Sequence, residues 1–457
     1  MTQTFDSRPR DQEHVGQKSL GRRTFLRRTG GAAAVVAGTV AMQAIVRGAP
    51  QIIQFWTTQR ATEQTQAYHE ILARFKTEYP DYEVNLQASP AEKVWEKLTA
   101  GYAAGEVPDL ISHLPAPPIV QLNDEGLVEP FDEVINAVGK DDFIPSMIDI
   151  YRDKDRGYYM AATVVNQVTN NMWYRKDLLA EAGLNPPVYW DDLLKAAKAM
   201  TKGDIYGTCF PAGKTDMGSI MLKTSVWQSG GYVVDPDLNV TFNSPEVVAA
   251  LEYIKEIFPY SPAGSASYSY AEPINAFVTG RVATSPYTGL VLQNVSTQNP
   301  KIEDHISVRA WPYRRGGGQI GHRSGFTNLF IPKGGKNLKG AKLLAQWLFR
   351  RDSYVRFLHS APGHNLPVLK SVANSKEFLA HPLLVKYRNE LDVMLENLAG
   401  ARSLLMESSK HKFNKKAGVL FSSKTLAEIL QDLVVGGMSP KEVAARGADK
   451  IAKIMKG

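Results

Sequence analysis

Cysteine is almost absent from this sequence. Cys209 is the only cysteine among 457 residues, so an intrachain disulfide is excluded. The fold must therefore draw its stability from a buried core, which a chain of this length can form without covalent cross-links. Chains this long usually divide into two or more domains, and we expect the same here.

A concentrated basic surface is also missing outside the N-terminal segment. The whole chain has 53 Lys and Arg against 46 Asp and Glu, a net charge of +7. Residues 1–48 hold eight of the basic and three of the acidic residues, which leaves 45 against 43 and a net charge of +2. Proteins that bind nucleic acid need clustered positive charge to displace counterions from phosphates. The near-neutral remainder argues against a nucleic-acid partner.

Strongly apolar runs of membrane-spanning length are missing too. The run Gly30–Val46 is rich in Ala, Gly and Val and is interrupted by Gln43, whereas a spanning helix needs about 20 strongly apolar residues. It follows "RRTFLRR", in which Arg22 and Arg23 resemble the pair of a twin-arginine export signal. We predict that residues 1–48 are a signal segment and that the protein is exported folded to the bacterial periplasm. The alternative is an amphipathic or disordered basic tail.

Motifs for catalysis, metals and cofactors are lacking as well. "GGGQIG" at Gly316–Gly321 has the spacing of a dinucleotide-binding loop, but the residues after it favour a strand where such a loop needs a helix. The histidines form no zinc-binding pair, and no serine stands in a Gly-x-Ser-x-Gly turn. The sequence nominates no catalytic residue, no metal and no cofactor, and we expect a protein that is not an enzyme.

What is present is an alternation of strands and helices. "QIIQFWTT" and "YEVNLQA" are typical of strands, and between them Tyr68, Ile71, Leu72 and Phe75 follow the spacing of one helix face. A further helix, "AEKVWEKLTAGYAAGE", and a third strand, "PDLISHL", continue the pattern. Strands joined by helical crossovers run parallel, so we predict an open α/β sheet.

The later part of the chain repeats this theme. "NNMWYRKDLLAEAGL" predicts a strand that leads into a helix, with Gly183 as the helix stop. Ser244 and Pro245 are typical of a helix start, and Ser439 stands at capping-box spacing before Glu442. "ISVRAWPY" and "GFTNLFIPKG" are further strand candidates. Two α/β lobes joined by short crossings fit this pattern.

Aromatic and amide side chains cluster at the ends of the strand-like segments. They are Trp56 with Thr58 and Gln59, Asn170, Asn171 and Tyr174, Trp227, Tyr268, Tyr270, Tyr287 and Trp311. Sugars pack their C–H faces on aromatic rings and exchange hydrogen bonds with amides. The set predicts a sugar-binding cleft, and ordinary core packing is the alternative for each single ring.

Several stretches together resemble the family 1 extracellular solute-binding proteins of ABC importers, which share their overall plan with maltose-binding proteins. They are "QFWTT", "LTAGYAAGEVPDLISH", "NNMWYRKDLLAEAGLNPPVYWDDLLKAAKAM", "INAFVTGRVATSPYTG" and the stretch from Pro332 to Val372. The likeness extends from about Gln51 to the C-terminus and depends on the order and spacing of these stretches.

The resemblance implies two lobes, each an open sheet flanked by helices, with a ligand cleft between them that closes by hinge motion. The implied N-terminal lobe comprises residues 49–162 and 291–350, and the C-terminal lobe residues 163–290 and 351–457. The expected function is that of a monomeric periplasmic receptor that captures a sugar, sugar alcohol or sugar-derived solute and delivers it to ABC permease subunits in the inner membrane. A secreted carbohydrate-active enzyme and a receptor for a non-sugar or anionic solute are the alternatives.

The candidate ligand-binding residues combine members of the aromatic and amide cluster with positions that match the family's stretches. They are Trp56, Thr58, Gln59, His113, Asn171, Tyr174, Trp227, Tyr287, Arg323, Gly325 and Asn365. Tyr287 stands where the family commonly has a tryptophan that stacks on sugar, and Arg323 where a smaller residue is usual. An arginine can pair bidentately with a phosphate, sulfonate or carboxylate, although a surface arginine on a turn is an equal interpretation.

Overall fold

The computed structural model of this protein describes residues 49–168, 171–317, 322–398, 401–408 and 410–457, and for residues 91, 92, 322–324 and 326 it describes the backbone alone. The predicted signal segment, Asn170 and residues 318–321 of the glycine-rich stretch lie outside the described residues. No helix within these ranges combines the length and the apolar character that crossing a membrane requires.

The described strands form two main sheets and one short hairpin. They are β1 Gln51–Thr57, β2 Tyr82–Ala88, β3 Leu110–Ser112, β4 Arg152–Asp153, β5 Tyr158–Tyr159, β6 Ala162–Val168, β7 Asn171–Arg175, β8 Thr284–Tyr287, β9 Ile306–Ala310, β10 His322–Phe330 and β11 Ala401–Arg402.

Helices fill most of the remaining chain. The α-helices are α1 Thr62–Glu78, α2 Ala91–Ala104, α3 Ala116–Asp124, α4 Asp132–Val138, α5 Pro145–Asp149, α6 Lys176–Glu181, α7 Trp190–Met200, α8 Asp216–Gln228, α9 Pro245–Ile257, α10 Ala271–Val278, α11 Leu290–Gln298, α12 Leu338–Phe349, α13 Arg351–Leu358, α14 Lys370–Ala373, α15 Lys376–Leu379, α16 Pro382–Lys386, α17 Arg388–Asn397, α18 Ala417–Ser422, α19 Thr425–Val434 and α20 Pro440–Lys456. Short 3₁₀ helices occupy Lys140–Asp142, Phe258–Tyr260, Ala263–Ser267 and Pro300–His305.

The first sheet contains β1, β2, β3, β6, β10 and β11. β1 lies between β2 and β3 and runs parallel to both, which confirms the predicted parallel strands. β10 then pairs antiparallel with β3 and with β6, so the complete sheet is mixed. Because β1 and β3 run in the same direction, their carboxyl ends meet at one edge, where Thr57 lies opposite Ser112. This edge leads directly into the candidate site.

The apolar face predicted for the first helix packs into the core beside this sheet. Tyr68, Ile71 and Phe75 of α1 are buried, and Leu72 is half-buried at the margin. The Tyr68 ring meets Phe55 of β1 edge-on, with 5.4 Å between ring centroids. The burial of this one face, more than the helix propensity of its residues, holds α1 on the sheet.

The second sheet is antiparallel, with β7 between β8 and β9. Asn171 of β7 lies opposite Tyr287 of β8 and Ala310 of β9. The buried Trp173 donates from Nε1 to the carbonyl oxygen of Thr288 at 3.0 Å, so β7 also holds the loop that follows β8. α8, α9, α19 and α20 pack against one another in this lobe.

The C-terminal part of the chain contacts both lobes. β11 pairs with β10 of the first sheet and α18 packs on α3, while α19 packs on α8. The two-sheet α/β architecture confirms the predicted fold class.

Two strands pair with a sheet other than the one that the predicted lobe boundaries imply. The residue ranges of the two lobes as a whole stay a prediction. β6, at residues 162–168, belongs to the first sheet although residues from 163 onward were expected in the C-terminal lobe. β9, at residues 306–310, belongs to the second sheet although 291–350 was expected in the N-terminal lobe. Residue patterns identify a strand but do not identify its partner, because backbone hydrogen bonds join any two strands alike.

The predicted helix ends are confirmed where side chains cap them. Ser244 accepts a hydrogen bond from the backbone of Val247 at the start of α9, and Ser439 forms a capping box with Glu442 at the start of α20. Gly183 follows α6 with a φ of 66°, the left-handed conformation that stops a helix at little cost in a glycine.

Candidate functional site

A cavity of about 350 Å³ lies between elements of the two sheets. This volume falls in the range of about 300–1,000 Å³ that is typical of small-molecule sites. The first-sheet side of its lining comprises His113, Pro115, Ala116, Pro117, Gln167, Gly325 and Thr327. The rest of the lining comprises Met217, Lys223, Tyr270, Tyr287, Thr288, Leu290, His364, Ser403, Leu404 and Phe421. We call this cavity the interlobe cleft.

His113 directly follows β3 and stands in an unusual backbone conformation. Its φ of 67° is left-handed, which is uncommon for a residue other than glycine. Its N–H donates to the carbonyl oxygen of Asn328 at 2.7 Å, and its own carbonyl oxygen accepts from Thr58 Oγ1 at 2.9 Å. Burial, reinforced by the neighbouring His364, lowers the pKa of His113 to about 3. The imidazole is therefore neutral at physiological pH.

Gly325 and Gln167 lie opposite each other on the paired strands β10 and β6. A Cβ atom on Gly325 would stand 3.2 Å from the Gln167 carbonyl oxygen, closer than most real side chains approach. Glycine at this position lets the two strands line the cleft side by side. The Gln167 amide donates from Nε2 to Oδ1 of the buried Asn365 at 3.4 Å, which holds the amide at the wall of the cleft.

Tyr287, Thr288 and His364 form another part of the lining. His364 Nδ1 lies 2.7 Å from Thr288 Oγ1, so a hydrogen bond joins the loop after β8 to the loop after α13. Burial raises the pKa of the Tyr287 phenol and lowers the pKa of His364 to about 4. Both side chains are consequently neutral near pH 7 and can exchange hydrogen bonds with an uncharged polar ligand.

Lys223 supplies a charge at the α8 side of the cleft. It is 5% exposed, and its Nζ lies 5.4 Å from the centroid of the Trp227 ring. The nearby Glu407 is fully buried, and that burial raises its pKa to about 7, against the lowering effect of its hydrogen bonds and of Lys223. Lys223 is the only Lys or Arg among the described lining residues, and none of them is Asp or Glu.

Three of the predicted site residues line the interlobe cleft: His113, Tyr287 and Gly325. Three predicted residues lie at the end of β1 but do not line the cavity: Trp56, Thr58 and Gln59. Trp56 packs against the core, and the Thr58 hydroxyl donates to the backbone carbonyl of the cleft residue His113. The side chain of Arg323 lies outside the described residues, and its backbone pairs with Arg402.

Four other predicted residues are buried behind the cleft. Asn171 accepts from Asn397 Nδ2 at 2.8 Å, and Tyr174 belongs to the core beside it. Trp227 is fully buried and donates to Glu407, and Asn365 contacts the cleft through Gln167. Tyr174 and Trp227 are packed in the core, as the alternative interpretation of the aromatic cluster stated.

The candidate list did not contain several residues that line the cleft, among them Gln167, Lys223, Tyr270, Thr288 and His364. Thr288 and His364 directly adjoin the predicted residues Tyr287 and Asn365 in the sequence, so the sequence signal for these two positions was off by one residue. Tyr270 was part of the aromatic cluster. Lys223 gives no signal in the sequence, because a lysine within a helix is usually a solvated surface residue.

Metal chemistry has no evident location in the described ranges. No group of three or more His, Cys, Asp or Glu side chains stands close enough there to hold a metal ion.

The two-lobed α/β fold with a ligand-sized cleft between its sheets is the periplasmic-binding-protein fold. The family model of bacterial extracellular solute-binding proteins matches residues 61–354. The chain therefore belongs to the family of bacterial extracellular solute-binding proteins, and its function is to bind a solute.

Individual relatives agree with this assignment. YcjN of Escherichia coli (strain K12), whose name provisionally assigns it to the periplasmic binding proteins of ABC transporters, is 25% identical over 71% of this chain and 74% of its own length. The maltose-bound MalE3 of T. maritima has a TM-score of 0.74 at 20% identity and covers 88% of this chain and 100% of its own. A solute-binding protein of Agrobacterium radiobacter K84 in complex with ribitol has a TM-score of 0.73 at 17% identity, over 89% of this chain and 99% of its own.

Proposed function

We propose that this solute-binding protein is the receptor of an ABC importer and that it binds a neutral sugar or sugar alcohol in the interlobe cleft. The observation that carries the proposal is the chemistry of the described lining: two tyrosine rings, Tyr270 and Tyr287, face a volume bordered by neutral amide, hydroxyl and imidazole groups. Polyhydroxy compounds need such a mixture, because they have both apolar C–H faces and hydroxyls that donate and accept. Structural neighbours bind maltose, ribitol and tagatose.

The residues proposed to contact the solute are those that border the cleft with groups suited to it: His113, Gln167, Tyr270, Tyr287, Thr288, Gly325 and His364. Closing of the two lobes on the solute would bring both walls against it, and the closed form would dock on the permease subunits.

Thermal unfolding in the presence of candidate solutes tests this function. D-tagatose, ribitol and maltose are suitable first probes, each titrated to millimolar concentration and followed by calorimetry. A ligand that binds the folded state alone stabilises it by about 2.7 kcal/mol at 100 times its Kd. We expect a rise in melting temperature with at least one small sugar or sugar alcohol. A broad carbohydrate panel that produces no rise would contradict the proposal.

Lys223 supports a second candidate, a solute with an acidic group. Its ammonium group borders the cleft, but the carboxyl of Glu407 lies close enough to affect it and compensates part of the charge. This compensation favours the neutral solute. Comparing D-gluconate with D-glucitol distinguishes the two, since they differ in one terminal carboxylate. Tighter binding of gluconate, reduced in a Lys223→Met variant, would support the acidic solute.

Catalysis on the bound sugar is the remaining alternative. A glycosidase needs two carboxyl groups that flank the scissile bond, and the described lining of the cleft contains no Asp or Glu. We propose that the solute is released unchanged. Proton NMR of the solute after prolonged incubation with the protein checks this, and any new product signal would overturn it.

We also propose that the protein reaches the periplasm through the twin-arginine pathway. The support is the pair Arg22 and Arg23 before a mild apolar run. Replacing both by lysine should retain the protein in the cytoplasm, whereas the matched change Arg28→Lys, outside the pair, should leave export unchanged. Periplasmic recovery of the double variant would contradict this route. A monomer is expected, and light scattering of the exported protein measures it.

A further inference from the structure

A chain of hydrogen bonds begins at the carboxyl ends of β1 and β3. Thr57 Oγ1 accepts from the backbone N–H of Gln59 at 3.2 Å and from Ser112 Oγ at 2.9 Å. A serine hydroxyl has one proton to donate. Because Ser112 donates this proton to Thr57, its oxygen can only accept in its other contacts.

The other contact of Ser112 is with Tyr68. The two hydroxyl oxygens lie 3.2 Å apart and both side chains are buried. Since the Ser112 proton is directed at Thr57, Tyr68 is the donor in this contact. Burial raises the pKa of the Tyr68 phenol to about 12, which keeps its proton in place. With that proton directed at Ser112, the Tyr68 oxygen is left to accept from a further neighbour.

This neighbour is His113, whose Nδ1 lies 3.5 Å from the Tyr68 oxygen, at the long end of hydrogen-bond distances. An acceptor facing Nδ1 favours the tautomer that has its proton there. The Nε2 atom then has a free lone pair. The hydrogen bonds thus run from His113 through Tyr68 and Ser112 to Thr57. Their direction leaves a hydrogen-bond acceptor at Nε2, on the other side of the imidazole.

His113 lines the interlobe cleft and is only 4% exposed. Its Nε2 atom is buried and has no hydrogen-bond partner in the described part of the structure. Buried polar atoms almost always have a partner, so an unpartnered one beside a cavity points to a ligand. The left-handed φ of 67° at the same residue is backbone strain of the kind that collects at binding sites.

We propose that His113 is the Nδ1–H tautomer and accepts, at Nε2, a hydrogen bond from a hydroxyl of the bound solute. The inference rests on the proposed function in so far as the solute occupies the interlobe cleft. His113 contacts the solute, and Tyr68 is a positioning residue that acts through His113. The solute must present a donor at this point, so an analogue with that hydroxyl replaced by hydrogen or by a methyl ether is rejected.

Burial supports this role, because a pKa of about 3 leaves the imidazole neutral and the lone pair available across the physiological range. A site that offers a buried acceptor discriminates strongly against a ligand without the matching donor, since the acceptor is then left unpaired.

The tautomer is measured on the ligand-free protein, which separates this inference from the proposed function. Long-range ¹H–¹⁵N correlation spectra of histidine-labelled protein at pH 7 report which ring nitrogen carries the proton, and the His113 signals are those that disappear in His113→Gln. We expect a protonated Nδ1 and an unprotonated Nε2. A protonated Nε2, or a doubly protonated ring, would overturn the proposal.

Two tyrosine variants test the chain itself. Tyr68→Phe removes the acceptor that faces Nδ1, so the His113 signals should shift towards a mixture of both tautomers. Tyr79→Phe is the matched control, because Tyr79 directly follows α1, packs on Phe75 and has no described contact with His113. Unchanged His113 signals in a folded Tyr68→Phe variant would show that Tyr68 does not position the ring.

Binding tests the contact with the solute. The probe is whichever of ribitol, D-tagatose and maltose stabilises the wild type most. We expect affinity to fall at least ten-fold in His113→Leu and to recover in part in His113→Gln, which restores an acceptor oxygen. Equal affinity of wild type and His113→Leu would overturn the contact. If none of the probes binds the wild type, the proposed sugar function fails for them, and the tautomer measurement still decides the inference.

Discussion

Trp227 Nε1 donates a hydrogen bond of 2.6 Å to Oε2 of Glu407. Both side chains are fully buried, and the same carboxyl accepts from the backbone N–H groups of Val233 at 2.9 Å and Val234 at 3.1 Å. The contact joins α8 to the segment that contains Ser403 and Leu404, two residues of the cleft lining. Trp227, one of the predicted ligand-binding residues, thereby holds the segment that carries part of the cleft lining in place.

Replacing Trp227 by phenylalanine should therefore reduce stability. The indole N–H is lost and the ring becomes smaller, while Glu407 keeps its two backbone donors. We expect a loss of about 0.5–1.5 kcal/mol, the usual net contribution of one hydrogen bond. Urea unfolding measures the change. Trp95→Phe is the control, because Trp95 of α2 is half-buried and lies far from Glu407 in the chain. Equal losses in the two variants would contradict a specific role for the Trp227 contact.

Glu407 should also make stability depend on pH. Burial raises its pKa from 4.5 to about 7, so between these values the folded state holds a proton that the unfolded state has released. The stabilising contribution is complete below pH 4.5 and is lost as the pH rises through 7, with a slope of up to about 1.4 kcal/mol for each pH unit.

Glu407→Gln tests this sign. The variant should be less stable overall, because its amide NH₂ replaces an acceptor oxygen. The part of the pH dependence between 4.5 and 7 that belongs to Glu407 should disappear, while His113 and His364 titrate alike in both proteins. Urea unfolding across this pH range gives the comparison, and parallel curves for wild type and variant would exclude Glu407 as the source.

Gly289→Ala should force apart two backbone segments that border the cleft. A Cβ atom at this position would overlap the carbonyl oxygen of Gly363, where the loops that carry Thr288 and His364 touch. We expect a loss of stability of about 1–3 kcal/mol from overpacking, with weaker solute binding. Thr288→Val is the comparison, because it removes only the hydroxyl 2.7 Å from His364 Nδ1. A Gly289→Ala variant as stable as wild type would show that the loops separate without cost.

Tyr287→Ala should weaken binding by roughly 1–3 kcal/mol if the ring packs on the solute. Tyr268→Ala is the matched control, since Tyr268 is also half-buried against the core but is absent from the cleft lining. Isothermal titration with the best probe measures both. Unchanged affinity in a folded Tyr287→Ala variant would remove Tyr287 from the site.

The spacing of apolar residues predicted many of the helices and strands. It predicted less well which side chains lie around the cleft. The helix face of Tyr68, Ile71 and Phe75 could be predicted because helical spacing alone determines which residues share a face. The burial of Asn171 and Tyr174 could not, because it depends on β7 being the central strand of its sheet, with β8 and β9 on either side. Lys223 and Gln167 line the same cleft only because residues distant in the chain have packed together.

The sequence by itself determined the alternation of strands and helices and the helix ends at Ser244 and Ser439, because these depend on spacing between near neighbours. It also determined the membership of the solute-binding family, because that depends on the order of stretches along the chain. Only the tertiary structure decided that His113 has an unpartnered Nε2 at the cleft and that Trp227 is a structural residue. Whether a polar atom finds a partner is a property of the whole packed chain, since the partner can come from any element that folding brings within hydrogen-bond distance.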